Sequence, residues 1–438
     1  MEQQQGLLDL SSDLLLHLLE KAAQGDRATR ISLAQTCQRF AALLEDSRQL
    51  WGTARLLVAD YLEPLASEGV LGGTLWYLHE LRWRSHLVWC LVIEYKYAVT
   101  AEEAGILRAL LPHLVAAIPC LEELRLWRAP EAVYLDSVLL ACPTTLLRLC
   151  ITGGDQMRLP QATSRLKSLT RLRFNVLSWA SGSLCAESLA ALEHLTALRT
   201  LRLAALAQLP SQLLSLTELT ELQLSTSTLA GEAVLLQGLS ALRKLQRLRF
   251  VDCTLPVVPS SFSQLAALTH LSLIRCSLHD TPASYQALAT LTALPHLQVF
   301  TLEGCQAEDA AQHIRQLQHL TRLSLSGNRL RQLPPGPYLG NLTALRLSGG
   351  AMTDPAGLAG LASCSRLVRL GLHSFVGGRF PTLLLQPLVA LRGLTALALC
   401  GVGLQDLPPG RYLQNLRDLD LSSNAVRLPG LCLQALVT

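Results

Sequence analysis

The chain has 438 residues, half of them hydrophobic and 16% charged, with a formal net charge of +4. That composition leaves ample apolar surface to bury and excludes a disordered chain, and so mild a positive balance argues against a nucleic-acid partner. No stretch reaches about 18 uninterrupted apolar residues, and the opening MEQQQGLLDL is polar and acidic where a secretory leader is basic and then apolar; the expectation is a soluble chain of the cytoplasm or nucleus with no membrane partner.

The first predicted elements are helical. Leu10, Leu14, Leu15, Leu18 and Leu19 fall at helical spacing around Ser11, Ser12 and Asp13, whose side-chain oxygens can cap a helix. A second run places Ile31, Leu33, Cys37, Phe40 and Leu43 three or four residues apart, and Leu50 and Trp51 close the segment. Three short helices over residues 7–51 make a module too small to bury all its leucines, so another surface should cover them.

The stretches LSSDLLLHLL, LAQTCQRFAALLED and QLW resemble the F-box family, with Leu10, Leu14, Leu18, Leu19, Leu33, Cys37, Phe40 and Trp51 at its apolar positions. Two departures are visible: Ser11 stands where the family usually has proline, and Glu20 to Thr29 form a polar link that is often shorter. The resemblance implies that Leu10, Leu14, Leu15, Leu18, Leu19, Leu33 and Cys37 contact a Skp-type adaptor of a cullin ubiquitin ligase. The residues themselves leave a second reading open, a helical cap that shields the first leucines of the following repeats. Between residues 52 and 120, apolar runs such as RLLVADY and HLVWCLVIEY read as degenerate early strands, so the array is expected to begin near Ala54.

From Leu121 to Leu416 the phrase L-x-x-L-x-L recurs in steps of 21 to 29 residues. In a strand its fourth and sixth positions point to one face and its third, fifth and seventh to the other. The ninth position is Cys253, Cys276, Cys305, Asn328 or Asn424 in five repeats, while Ser227, Gly350 and Val402 mark repeats expected to be irregular. An asparagine there can satisfy the backbone of the turn, and a thiol fills the same volume with weaker bonds. LPPGPYLGNLTALRL from Leu333 and LPPGRYLQNLRDLDL from Leu407 are nearly the same segment 74 residues apart, which reads as internal duplication.

The phrase and its ninth position resemble the leucine-rich-repeat family over residues 121–438. The fold implied is an α/β leucine-rich-repeat solenoid, a horseshoe, carrying the small N-terminal F-box-like module. Leu-Pro turns at Leu209, Leu333 and Leu407 suggest short segments between strands, whereas the repeat holding Tyr285 to Leu294 has room for a helix. The chain stops soon after the last phrase, so a minimal or missing C-terminal cap is expected.

Nothing in the sequence supplies a catalytic centre or a cofactor motif: there is no phosphate loop, HExxH, GxSxG or paired-carboxylate cluster in a supporting context. Twelve cysteines include no CxxC pair, so neither a zinc site nor a disulfide framework is expected. The chemical signal is arginine. Arg125, Arg148, Arg171, Arg173, Arg202, Arg247, Arg249, Arg322, Arg346 and Arg369 stand at third or fifth positions, on the expected concave face. Neighbouring strands are ~4.8 Å apart, so like charges would crowd one another and an acidic or phosphorylated protein segment would relieve them. The competing reading is compositional, because only four of the 37 basic residues are lysine and exposed arginine keeps a leucine-rich sheet soluble. Taken with the F-box resemblance, the expected role is a non-enzymatic substrate-recognition subunit that joins a protein substrate to a Skp-type adaptor and cullin complex. A cytoskeletal, axonemal or regulatory scaffold whose helices are only a cap is the alternative.

Overall fold

The computed structural model describes residues 53–57, 87–94, 109, 111–129, 132–154, 157–176, 184, 186–229, 233–255, 258–278, 288–307, 314–333, 335–349, 355–373, 382–404 and 407–424. The F-box-like segment, with Leu10, Leu14, Leu15, Leu18, Leu19, Leu33 and Cys37, lies outside them. The chain divides into two compact units, Met1–Gly182 with Ser188–Leu198, and Ser183–Glu187 with Arg199–Thr438.

The first unit holds strands β1 (Thr53–Leu57), β2 (Cys90–Glu94), β3 (Glu123–Ala129), β4 (Arg148–Gly153) and β5 (Arg171–Val176), paired in parallel in chain order. The ladder therefore extends back to Thr53, well before the first clear phrase at Leu121. Helix α1 (Ala132–Ala141) connects β3 to β4 and buries Leu135, Val138 and Leu139, the spacing of one helix face.

The second unit holds β6 (Thr200–Ala204), β7 (Glu221–Ser225), β8 (Arg247–Val251), β10 (His270–Ile274), β12 (Val299–Glu303), β13 (Arg322–Ser324), β14 (Ala344–Ser348), β15 (Arg369–His373), β16 (Ala396–Cys400) and β17 (Asp418–Asp420), again parallel and in order. A second ladder of two residues each, β9 (Thr254–Leu255) with β11 (Ser277–Leu278), runs beside it. Equal positions of successive phrases pair without slippage, as in Leu323 with Leu345, Leu370 with Leu397. Fourth- and sixth-position side chains such as Leu345, Leu347, Leu370 and Leu372 are at most 2% exposed, while the third and fifth positions between them face outward. A one-residue slip would exchange the two sets, which is why the register is tightly held.

Repeats of 21 to 29 residues leave little chain after the strand, and the return segments are mostly single 3-10 turns. Pro160, Pro210 and Pro259 each open one, accepting the N–H of Thr163, Leu213 and Phe262 at 3.0–3.1 Å. In all three, a serine hydroxyl (Ser164, Ser215, Ser263) donates to a carbonyl three residues back at 2.7 Å. Proline suits the start because its fixed φ is compatible with the turn and its missing N–H is not needed there. Helix α2 (Ala233–Gly238) is a short α-helical exception, and in the 29-residue repeat where a helix has room Leu288 and Ala289 are α-helical and lead into the 3-10 turn Thr290–Ala293.

The two near-identical segments fold alike. Tyr338 and Tyr412 are both fully buried, and Gly336 and Gly410 lie against their rings so closely that a Cβ would come within 3.0 Å of each ring. Asn341 and Asn415 each donate to the carbonyl of a residue one repeat earlier, Gln318 at 2.9 Å and Arg392 at 2.8 Å. Asn341, the asparagine of the N-L-T triplet, is thus a brace between repeats.

Where most of these strands end the chain turns through a left-handed residue at the eighth position of the phrase: Arg128, Ala205, Thr226, Asp252 and Arg275 in earlier repeats, Gly304, Gly327, Gly349, Gly401 and Ser423 in later ones. The ninth residue then plugs the turn. Asn328, 1% exposed, accepts from the N–H groups of Cys305 (3.1 Å) and Ala307 (3.2 Å) and donates to the carbonyls of Leu302 (2.6 Å) and Leu325 (3.0 Å). Asn424 repeats the pattern on Val402, Leu404, Leu399 and Leu421. Cys253 and Cys305 keep only the donor half, each thiol giving 3.4–3.5 Å bonds to two carbonyls. Ser227, expected to mark an irregular repeat, is regular: buried, it accepts from Leu206 N–H (3.1 Å) and donates to Ser225 O (2.8 Å). A hydroxyl can do both jobs that asparagine does, on a smaller scale.

Candidate ligand-binding faces

The sheet of each unit has one face packed on its core and one open. On the open face of the first unit the third-position row reads Cys90, Glu123, Arg148, Arg171 and the fifth-position row Val92, Arg125, Cys150, Arg173. Glu123 stands among the arginines. Only 8% exposed, it accepts from Arg125 Nε at 2.6 Å and from Arg148 Nη1 at 3.2 Å. Its hydrogen bond and charge hold the Arg125 guanidinium above its ordinary pKa against the opposing effect of burial. Arg148 also lies over the Trp89 ring, 5.9 Å from its centroid. Asn175, its amide turned to suit, accepts from Arg173 Nε at 3.0 Å. Trp127 of β3, 39% exposed, stands where the register of that strand with β4 breaks.

On the second unit Glu221 has the corresponding role. Arg202 donates to it at 2.7 Å and Arg247 lies 3.9 Å away on the other side, while Arg249 on β8 is exposed. At the eighth position, Arg275 pairs bidentately with Asp252 at 2.6 and 2.7 Å, which holds the Asp252 carboxyl below its usual pKa. The expectation of mutually repelling arginines is therefore corrected for Arg125, Arg148, Arg202 and Arg247: carboxylates at third positions already interleave with them. Glu123 in LEELRL and Glu221 in LTELQL occupy readable positions of the phrase, so the same count that found the arginines could have found them.

Farther along the second unit the arrangement changes. Over β12 to β17 the open face sinks into a hollow of about 460 Å³. Its floor exists because Ala344, Gly371, Ala396 and Ala398 stand at outward positions where other repeats carry long side chains. A Cβ at Gly371 would come within 2.9 Å of His373 Nε2, so a larger residue there would have to push the imidazole aside. Arg322, Arg346 and Arg369, all exposed, line the hollow. Among the described residues no carboxylate lies within 4.0 Å of any of the three. Asp418 and Asp420 line the opposite end, with His373 between. Burial and Arg346 hold the His373 pKa below its ordinary value, partly offset by Asp420.

Cys142, Cys253, Cys276, Cys305 and Cys364 are buried; burial pushes the Cys142 and Cys364 thiols up to about 12, whereas side-chain hydrogen bonds with Cys253 and Cys305 hold the Cys276 thiol below its ordinary value. Among the described residues no group of three or more His, Cys, Asp and Glu is placed to hold a metal ion, and no helix is long and apolar enough to cross a membrane.

Comparison with known proteins bears on the repeats alone. The family model for the leucine-rich repeat matches residues 319–342, the phrase that carries Asn328. Among solved structures, a leucine-rich-repeat protein of Leptospira interrogans superimposes with a TM-score of 0.52 at 20% identity, covering 82% of this chain and 90% of that one. The fold is a leucine-rich-repeat fold. An internalin of Listeria monocytogenes gives 0.50 at 21% identity over 77% of this chain and 92% of its own. No curated protein matches the sequence.

Proposed function

We propose that this leucine-rich-repeat chain is a non-enzymatic recognition subunit: its open sheet faces bind a protein partner, and residues 7–51 dock a Skp-type adaptor so that the bound partner is presented to a cullin ubiquitin ligase. The observation that carries the binding role is the open face of the second unit, where a hollow of about 460 Å³ is bordered by three arginines that, among the described residues, have no carboxylate within 4.0 Å. A parallel sheet presents such side chains in straight rows at ~4.8 Å spacing, a rigid surface on which charged groups converge without reorganisation. The adaptor role is supported by the F-box resemblance of LSSDLLLHLL and LAQTCQRF.

The test is affinity purification of the tagged full chain beside a version lacking residues 1–51 and the double variant Leu14→Asp with Leu18→Asp. The adaptor and cullin are expected with the full chain and absent from both variants, because unpaired charges in an apolar contact are costly. Both variants should keep the repeat array folded by circular dichroism. Equal recovery from all three, or no adaptor with any, overturns the ubiquitin-ligase reading and leaves a partner-binding scaffold.

A further inference from the structure

Arg322 and Arg369 occupy the same outward row two strands apart, and Arg346 sits on the strand between them, two residues along. With ~4.8 Å between strands and ~3.3 Å per residue, the three Cα atoms form a triangle with sides of about 8 to 10 Å. Arginine side chains are long enough to converge over its centre. One carboxylate offers two oxygens and suits a single guanidinium fork. Three forks call for a group with three terminal oxygens and close to two negative charges, which is a phosphate monoester.

The far end of the hollow has the opposite sign. Asp418 aligns with Ala396 in the row of Arg322 and Arg369, and Asp420 with Ala398 in the row of Arg346. Asp420 accepts from the Ser422 N–H at 2.9 Å, which contributes to holding its carboxyl ionised. Glu303, at the other rim, already accepts the Ser324 hydroxyl at 2.5 Å. An occupant must therefore carry an anion and a cation about two to three strand spacings apart, ~10–14 Å. An extended peptide running across the strands spans that distance in three to four residues at ~3.3–3.5 Å each.

We infer that this hollow is a bipartite phosphopeptide site, in which Arg322, Arg346 and Arg369 hold the phosphate of a phosphoserine or phosphothreonine and Asp418 with Asp420 hold a basic side chain three to four residues away. Ala344, Gly371, Ala396 and Ala398 make room for the peptide backbone between the two ends. The inference rests on the second unit being a partner-binding surface, and it names the chemistry of the partner segment. The acidic end also sets the site against an anionic lipid surface, which it would repel.

The probes are short alanine-glycine peptides carrying one phosphoserine and one arginine three or four residues before or after it, their unphosphorylated twins, twins with alanine for the arginine, and inorganic phosphate, all titrated into the full-length purified chain. Phosphorylation is expected to raise affinity at least tenfold for one of the two orientations, roughly the gain of one or two charge-assisted bonds. Arg346→Ala and Arg369→Ala should each remove that gain with the melting temperature unchanged, and Gly371→Leu should block binding by filling the floor. Asp418→Asn with Asp420→Asn should weaken the arginine-bearing peptide several-fold and leave its alanine twin unaffected. Equal binding of phosphorylated and unphosphorylated peptides, retention by Arg346→Ala, or displacement by inorganic phosphate at peptide-like concentrations overturns the inference, the last by showing a simple anion site. Adaptor recovery is read separately: peptides that fail while the adaptor co-purifies refute this site alone, and the reverse outcome refutes the ligase reading alone.

Discussion

The repeats from Ala205 to Cys276 and those from Gly304 to Asn424 make the same turn with different residues. In the later group glycine takes the left-handed eighth position four times out of five described, Ser423 being the fifth, and asparagine fills the plug with four hydrogen bonds at Asn328 and Asn424. In the earlier group Ala205, Thr226, Asp252 and Arg275 are held at φ of 46° to 58°, and Ser227, Cys253 and Cys276 fill the plug with fewer or weaker bonds. Left-handed backbone costs a residue with a Cβ roughly 1–2 kcal/mol. The turn nevertheless keeps its geometry, so it is imposed by the neighbouring repeats: Ala205 N–H donates to Ser225 O at 2.9 Å and Asp252 N–H to Ile274 O at 2.8 Å, as Gly304 N–H does to Ser326 O. Stacking dictates the turn, and the residue in it only sets how comfortable the turn is.

Three measurements can break or sharpen that comparison. The largest effect belongs to the plug. Asn328→Ala should lower stability by about 4 kcal/mol, since it strands two buried N–H groups and two carbonyls at roughly 1 kcal/mol or more each. Cys253→Ala should cost about 1–2 kcal/mol because it removes two weak donor bonds and a small buried volume. Denaturant melts giving the two variants equal losses would show that the asparagine and cysteine turns are equivalent after all.

Next comes the strand. Leu323→Ala, in the repeat of Asn328, is expected to cost about 3 kcal/mol through the cavity it leaves. Its outward neighbour Arg322→Ala should cost less than about 0.5 kcal/mol. Reversal of that order in the same melts would invert the assignment of core and open faces.

The smallest effect is a gain. Ala205→Gly should stabilise the earlier repeats by about 0.5 kcal/mol, the left-handed penalty being offset in part by the greater freedom of glycine in the unfolded chain. The reverse change at Gly327, whose Cβ would come within 3.1 Å of the Gly304 backbone, should destabilise by more than that gain, since crowding adds to the φ penalty. A loss at Ala205, seen as a lower melting temperature, would mean that the alanine methyl packs against the neighbouring repeat more usefully than its φ suggests.

The same contrast runs along the open face. Arg148 and Arg346 come from the same residue type at outward positions of the same phrase, yet Arg148 has Glu123 at 3.2 Å and a tryptophan beneath it, whereas Arg346 borders a hollow with no carboxylate within 4.0 Å among the described residues. A count of arginines cannot distinguish the two. Their environments depend on side chains from strands some 25 residues away in the chain, and on small residues such as Gly371 and Ala398 whose significance is the space they leave.

The sequence by itself determined the parallel strands, the alternation that buries Leu345 and Leu347 while exposing Arg346, and the plugging role of Asn328 and Asn424. Those features are local and periodic: a period of two within the strand and a recurrence of 21 to 29 residues between strands are written directly in the order of residues. Only the tertiary structure decided which arginines are neutralised, that Ser227 is a working plug, and that the earlier turns hold residues with a Cβ at positive φ. Each of those depends on what one repeat places against the next, a contact between residues far apart in the chain whose energy is set by register, burial and the length of the facing side chain.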